Sequence, residues 1–266
     1  MKLLIVDAMN LIRRVYAAVE DTPTAIEATT NRCIATIHNN MEWLQCSHLV
    51  MVYESEGDTW RHRLWPDYKL GRAPMPDRLN EQLEVMKARF EHEGIPCMHA
   101  DGWEADDVCA TLASRASKHG IDSIILSTDK GFSQLVNEHI HVANHFDRQL
   151  IDPDGVLQRF GLPAGQLVDF WAMTGDSTNH LPGVAGLGPK SASAILDEVG
   201  SLDRALIQID RLLELGVIKP AQASKIHEHW QDALLTRELA RLTTDVPVQI
   251  NLKQLRYEGP QQQRQH

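Results

Sequence analysis

A chain of 266 residues with 26 lysines and arginines against 36 aspartates and glutamates carries a formal net charge of −10. That balance excludes a protein that coats nucleic acid by bulk electrostatics, so any phosphate binding must be local. Its four cysteines (Cys33, Cys46, Cys97, Cys109) stand singly, which argues against a zinc site or a disulfide framework and leaves reduced, buried thiols as the expectation.

The apolar run 3–6 reads as a central parallel strand with Asp7 at its C-terminal end. This run is too short for a signal-peptide core and no later stretch could span a bilayer, so a soluble, cytoplasmic chain without membrane contact is expected. Strands alternate with helices through the first half, the pattern of an α/β protein with a mainly parallel sheet and helices on both faces. The run 49–53 is the second strand, followed by Glu54. Beyond it Pro66, Gly71, Pro74 and Pro76 break regular structure, while Arg61, Arg63, Lys69 and Arg72 interleave with Trp60, Trp65 and Tyr68. Such a stretch offers cations to phosphates and flat faces to bases, or else is a solvated loop whose aromatics pack on the core. An amphipathic helix over 79–93 follows (Leu79, Leu83, Met86, Phe90), stopped by Gly94.

The chemical centre of the sequence is Gly102-Trp103-Glu104-Ala105-Asp106-Asp107, which opens a helix with apolar residues at Val108, Leu112 and Ala116. One or two acidic residues in a first turn are favoured by the helix dipole. Three so close repel and raise one another's pKa unless a hard, oxygen-seeking divalent cation lies among them. The next strand, 124–128, is followed by Asp129. Since open α/β sheets bind ligands beyond the carboxyl ends of their strands, Asp7, Glu54, Glu104, Asp106, Asp107 and Asp129 are all expected to face one crevice.

A short helical segment at 132–136 and strands at 140–143 and 149–151 come next, and from Pro153 the pattern is helical only, placing a boundary near 158. A helix over 163–174 leads into Pro182-Gly183-Val184-Ala185-Gly186-Leu187-Gly188-Pro189-Lys190-Ser191-Ala192, a glycine-rich hairpin opening a further helix. Its glycines let backbone N–H groups approach an anion, the helix N-terminus adds partial positive charge, and Lys190 adds a whole one. Gly186, Leu187, Gly188, Pro189, Lys190 and Ser191 are therefore the candidate DNA-contact residues of a helix-hairpin-helix that grips backbone without reading bases. The alternative is a turn that merely joins two helices. Helices over 202–215 and 221–242 pack beneath it, and the polar end, 261–266, is expected to be disordered.

Five stretches follow one another over nearly the whole chain: Val6-Asp7-Ala8-Met9-Asn10-Leu11, Tyr68-Lys69-Leu70-Gly71-Arg72-Ala73-Pro74-Met75-Pro76, Gly102 to Asp107 as above, Ser127-Thr128-Asp129-Lys130, and Leu181 through Lys190. Together they resemble the 5′-nuclease or flap endonuclease family, related to the N-terminal nuclease domain of bacterial DNA polymerase I, and in particular its stand-alone bacterial branch. The resemblance implies a PIN-like metallonuclease core over 1–158 with an arch or gateway at 55–80, a helix-hairpin-helix DNA-binding region over 159–251, and a polar tail over 252–266. It further implies Mg²⁺, with Mn²⁺ as a substitute, held by Asp7, Glu104, Asp106, Asp107 and Asp129, with Glu54 where the family usually has Asp. Lys69 and Arg72 match residues near the scissile phosphate and, with Asp106, form the catalytic set. Of the second cation's ligands only Asp176 remains, since Gly131, Asn179 and His180 stand at other positions of that site. K⁺ would sit on the carbonyls of Met173, Thr174, Pro182, Val184 and Leu187. The implied activity is hydrolysis of flap or junction DNA, without sequence specificity, by a monomer. A junction-binding protein with little or no nuclease activity is the alternative, its cue being Gly131 and Asn179. An RNA-cutting relative fits the hairpin less well.

Overall fold

A computed structural model describes residues 1–19 and 22–259. The first half alternates as expected: β1 (Lys2–Asp7), α1 (Ala8–Ala17), α2 (Ala25–Leu44), β2 (His48–Val52), α3 (Trp60–Leu64), α4 (Asp77–Glu81), α5 (Leu83–His92), β3 (Cys97–Met98), α6 (Ala105–Lys118), β4 (Asp122–Leu126), β5 (Ile140–Ala143) and β6 (Leu150–Ile151). Helices alone make up the remainder: α7 (Pro153–Phe160), α8 (Leu167–Thr174), α9 (Pro189–Val199), α10 (Leu202–Ile207), α11 (Ile209–Glu214), α12 (Pro220–Glu228) and α13 (Trp230–Ala240), apart from short 3₁₀ turns.

The six strands run in the order β3-β2-β1-β4-β5-β6, parallel except for the final pair. Chain order reverses direction between β1 and β4, which opens a crevice beyond their carboxyl ends. Alternate residues of each strand serve opposite faces. Leu3, Ile5, Val50, Val52 and Ile125 pack under α6 and the C-terminal helices, whereas Leu4, Val6, Leu49, Met51, Ile124 and Leu126 pack under α1, α2 and α5. Each such fully buried side chain is worth about 1.5–3 kcal/mol.

Several expected elements differ in detail. The helix expected over 79–93 starts earlier and is interrupted at Gln82 (φ −104°, ψ 3°), and those over 202–215 and 221–242 break likewise at Gln208 and His229. A one-residue interruption preserves the apolar face, so periodicity runs through it unmarked. The helix expected over 163–174 opens as a 3₁₀ turn, Ala164–Gln166, before α8, and the segment expected over 132–136 is the 3₁₀ turn Lys130–Leu135. The two-residue β3 is too short to leave a pattern. The boundary expected at 158 falls inside α7, and the core on the α6 face continues without interruption through Trp171, Ile195, Leu212 and Ile226. Residues 252–259, expected in a polar tail, instead pack: Leu252–Leu255 is a 3₁₀ turn, Leu255 is buried, Arg256 bridges to His48, and the Tyr257 hydroxyl meets His38. The end expected to be disordered, 261–266, lies outside the described residues. All four cysteines are free, two buried and two half-buried, and no helix among the described residues is long and apolar enough to cross a membrane.

The hairpin between α8 and α9 is closed by backbone contact. Gly175 (φ 72°) and Gly183 (φ 64°) lie against one another, so that a Cβ at Gly175 would stand 2.7 Å from the Leu181 carbonyl and one at Gly183 would run into the Gly175 backbone. Gly186 (φ 81°) faces open space. Urea melts are therefore expected to show Gly183→Ala losing about 2–4 kcal/mol, because backbone must move. Gly186→Ala should lose only about 1 kcal/mol, the left-handed penalty alone.

Candidate active site

An open crevice of about 830 Å³ at the β1/β4 switch point is lined by Asp7, Glu54, Asp106 and Asp129 together with Lys69 and Arg72. Each acid is placed by its element. Asp7 ends β1 and caps α1, its Oδ1 accepting from Asn10 N at 3.2 Å and its Oδ2 from the Ser127 hydroxyl at 2.8 Å. Asp129 caps the 3₁₀ turn after β4, accepting from Gly131 N at 2.7 Å, and its own N–H donates to Ser127 Oγ at 3.0 Å. Glu54 follows β2 closely and accepts from Ala105 N at 2.8 Å, at the start of α6. Asn10 Oδ1 takes both the backbone N–H and the hydroxyl of Thr128, which ties the loop after β4 to α1.

Burial pushes the Asp7 carboxyl up to about 7, with Ser127 and Asn10 opposing and the charges of Glu54 and Asp129 adding to the rise. Asp106 is driven well above its ordinary range by burial, then by Asp129, with Asp7 and Glu54 contributing and Lys69 opposing. Glu54 stands at the open mouth yet is also raised, because the surrounding walls displace water and Glu104 adds negative charge, against Lys69 and Arg72.

Glu104 and Asp107, expected in the same crevice, turn elsewhere. Successive helical residues point about 100° apart, so Asp106 and Asp107 cannot share one face of α6. Asp107 is fully buried and accepts from both Arg61 Nη1 (2.6 Å) and Nη2 (2.8 Å), from Trp60 Nε1 (3.0 Å) and from Thr243 N (2.9 Å). Glu104 accepts from Arg61 Nη1 at 2.8 Å, from the Tyr68 hydroxyl at 3.1 Å and from Lys69 Nζ at 2.6 Å. Burial alone would lift Glu104; Lys69 and then Arg61 reverse that and hold it below the ordinary carboxylate range. Lys69 is pulled down by burial but raised on balance by Glu104, with Tyr68, Asp106 and Glu54 adding to it.

The stretch 60–76 is thus only partly a DNA surface. Arg61 and Tyr68 are buried and Trp60 and Trp65 half-buried, packed on the core, whereas Arg63 and Arg72 are exposed and Lys69 is half-buried. Arg13 donates to the carbonyls of Ala73 and Pro74, and Arg72 donates to Asn179 Oδ1 at 2.6 Å. Sequence reading did not single out Asn10, Arg13 or Ser127. Asn10 and Ser127 lie within the quoted stretches, one helical turn after Asp7 and two residues before Asp129, a spacing that was the available signal.

Asp176 is not among the residues that line this crevice. Its Oδ1 pairs with Lys130 Nζ at 3.2 Å and accepts from Thr178 N, and its Oδ2 accepts from Asn179 Nδ2 at 3.0 Å. Gly131 points its would-be Cβ at Asp129, 3.1 Å from Oδ1. In the hairpin, Gly186, Gly188, Pro189 and Lys190 are exposed, Leu187 is buried and Ser191 accepts from Gln222. Met173 O accepts from Val184 N and Val184 O from Leu187 N, which draws three of the five expected K⁺-site residues (Met173, Val184, Leu187) around the turn, while the Thr174 backbone lies against Gly183 and Pro182 O closes over Gly175.

Among the described residues no three histidine, cysteine, aspartate or glutamate side chains already clasp a common point. The acids instead line an open space, where burial and neighbouring negative charge raise Asp7, Glu54 and Asp106 above the ordinary carboxylate range. A donor set made solely of such carboxylates matches the chemistry of a hard divalent cation.

The fold is a mainly parallel α/β sheet with an acid-lined crevice at its carboxyl edge, joined to a helical region through a glycine-rich hairpin. Residues 2–161 match the model described as 5′-3′ exonuclease, N-terminal resolvase-like domain, and residues 162–263 match 5′-3′ exonuclease, C-terminal SAM fold. The chain belongs to the 5′-3′ exonuclease family. It is 42% identical to the flap endonuclease Xni of Pectobacterium carotovorum subsp. carotovorum strain PC1 over 256 residues, covering 96% of this chain and 94% of that protein. Identity to the flap endonuclease Xni of Cronobacter sakazakii strain ATCC BAA-894 is 38% over 263 residues, covering 97% and 98%. Among solved structures, a zinc-bound T5 5′-exonuclease superposes with a TM-score of 0.76 at 20% identity, over 92% of this chain and 90% of that one. The catalytic core of Rad2 with DNA gives 0.62 at 16% identity, over 97% and 83%. Both likenesses bear on the fold.

Because Asp7 is raised in the folded protein, it retains its proton there at pH values where the unfolded chain has lost it. On its account stability falls as pH rises from the ordinary carboxylate range to about 7, and the full cost is present above that. Without metal, Asp106→Asn is therefore expected to be more stable than wild type at about pH 8, by about 1 kcal/mol, an advantage that shrinks as pH falls and vanishes at about pH 4. Since protons compete with a cation for the same oxygens, Mg²⁺ or Mn²⁺ should raise the wild-type melting temperature more at about pH 8 than at about pH 6. An equal metal-induced rise in Asp106→Asn and wild type would overturn this reading of the crevice.

Proposed function

We propose that the chain is a metal-dependent, structure-specific DNA endonuclease that hydrolyses phosphodiester bonds where single strand meets duplex. The observation that carries this reading is the crevice itself, which is lined by four carboxylates together with Lys69 and Arg72. The relatives called flap endonuclease support the choice of substrate.

Asp7, Asp106 and Asp129, with Glu54 at the mouth, would hold Mg²⁺ or Mn²⁺; Glu104 and Asp107 would not, their oxygens being taken by Arg61 and Lys69. When bound, the ion would polarise a phosphoryl oxygen and acidify a water. The protein's own residues do the rest. Ser127 and Asn10 N fix the orientation of Asp7. Lys69, its ammonium fixed by Glu104, offsets negative charge developing on the phosphate, and Arg72 adds a second cation beside it. The exposed N–H groups at Gly186 and Gly188, the N-terminus of α9 and Lys190 grip a duplex phosphate, and K⁺ on the carbonyls of Met173, Thr174, Pro182, Val184 and Leu187 would stiffen the turn. One chain carries both the crevice and the hairpin, which fits a monomer acting in the cytoplasm.

A second cation would be weakly held. Asp176 is engaged by Lys130 and Asn179, and Gly131 supplies no side chain beside Asp129. That same engagement favours the second reading, a junction-binding protein with little nuclease activity. A gel assay on a 5′-flap duplex separates the two. Wild type should cleave slowly at micromolar Mg²⁺ and faster at millimolar Mg²⁺ or Mn²⁺, while Asp106→Ala and Lys69→Ala should each lower the rate by about a hundredfold or more. Identical traces for wild type and Asp106→Ala, with binding retained, would establish the binder instead. Fast cleavage at micromolar metal would refute the weak second site.

A further inference from the structure

Arg61 sits within the stretch that reads as a DNA surface, yet it is 1% exposed and each of its five N–H groups has an acceptor. Nη1 serves Glu104 Oε2 and Asp107 Oδ2, Nη2 serves Asp107 Oδ1 and Arg241 O, and Nε serves Leu239 O at 2.8 Å. The last two acceptors are carbonyls at the C-terminal end of α13, which have no partner within their own helix and carry the negative end of its dipole. One planar cation therefore joins the start of α6 to the end of α13, reaching Leu239 from 178 positions away along the chain.

The connections continue on both sides. Three residues before Leu239, the fully buried Thr236 accepts at Oγ1 from the N–H of Gly183, 3.1 Å away in the hairpin. Past Arg61, Glu104 presents its other oxygen to Lys69 Nζ at 2.6 Å. Lys69 is one of four non-glycine residues described with positive φ (57°), and its N–H is held by Asn179 O at 3.0 Å, on the loop preceding the hairpin. Its side chain is 15% exposed and borders the crevice. The path runs Gly183, Thr236, α13, Arg61, Glu104, Lys69, every step a hydrogen bond or one helical turn.

We propose that Arg61 is a positioning residue that fixes the Lys69 ammonium over the acidic crevice through Glu104, and that Thr236 makes this placement depend on the seating of the hairpin. A phosphate gripped at the hairpin and the lysine facing the reacting phosphate are thereby held at one fixed separation. Lysine at 61 would keep the charge but has three hydrogens for five acceptors in a fan it cannot match. Threonine to valine at 236 keeps shape and removes only the acceptor. This proposal rests on the nuclease reading for what Lys69 does, though not for where Lys69 is held.

The test measures placement and rate separately on the full-length protein. Reductive methylation followed by mass spectrometry reads the accessibility of Lys69, with the surface residues Lys118 and Lys219 as internal references. Arg61→Lys and Thr236→Val should each speed labelling of Lys69, the former by about tenfold, and leave the references unchanged. On flap DNA, Arg61→Lys should lower the single-turnover rate by about ten- to a hundredfold with the dissociation constant within about twofold, and should cost nothing further in a Lys69→Ala background. Should Arg61→Lys fail to fold, Thr236→Val decides, with the same signs and smaller effects. Unchanged Lys69 labelling, or an equal rate loss in the wild-type and Lys69→Ala backgrounds, overturns the proposal. If labelling responds but Lys69→Ala cleaves as fast as wild type, the positioning stands and the role given to Lys69 in catalysis falls.

Discussion

Repulsion among carboxylates at the sheet's carboxyl edge is the constraint from which the rest of the structure follows. Asp7, Asp106 and Asp129 are delivered by three elements whose burial would be lost if any of them moved away, so the acids have to tolerate one another. The protein meets that tension in two ways. Along the crevice it leaves the acids without a paired cation, with neutral donors from Ser127, Asn10 and Gly131 to orient Asp7 and Asp129. Behind the crevice it neutralises Glu104 and Asp107 fully with Arg61 and Lys69. A buried pair of this second kind adds little net stability compared with apolar packing, but removing one partner is costly, so it fixes geometry rather than strength.

The division was only half visible in the sequence. Apolar runs gave β1, β2, β4 and β5, and the rule that ligands bind past the carboxyl ends of strands correctly gathered Asp7, Glu54, Asp106 and Asp129. The same rule swept in Glu104 and Asp107, because a list of acids in one hexapeptide ignores the rotation of a helix between neighbours. Helical geometry would have separated Asp106 from Asp107. Nothing local would have revealed what neutralises Asp107, since Arg61 and Thr243 approach it from 46 and 136 positions away. The basic stretch misled for a related reason: Arg61 and Arg63 are two residues apart in one short helix, one buried and one exposed, and composition alone does not say which.

The hairpin illustrates a contrasting case, in which the sequence was informative because the constraint is steric and local. Gly175 and Gly183 approach so closely that no side chain fits, and the glycines stand out in the primary structure. The pairing of Asp176 with Lys130 was invisible by comparison, although both lie in stretches that stood out. Long-range ion pairs between recognisable segments are the class of information that a linear reading loses.

The apolar interior shared by the sheet's α6 face and the C-terminal helices has a consequence for how the molecule comes apart. Residues 2–161 and 162–263 match separate sequence models, yet Trp171, Ile195 and Leu212 close over the same hydrophobic mass as Val108 and Ile125. Severing the polypeptide between these regions would strip a face from each and take from Arg61 the carbonyls of Leu239 and Arg241. A shared interior of this kind couples the unfolding of the two regions, and either one inherited alone would expose to water the face it has lost.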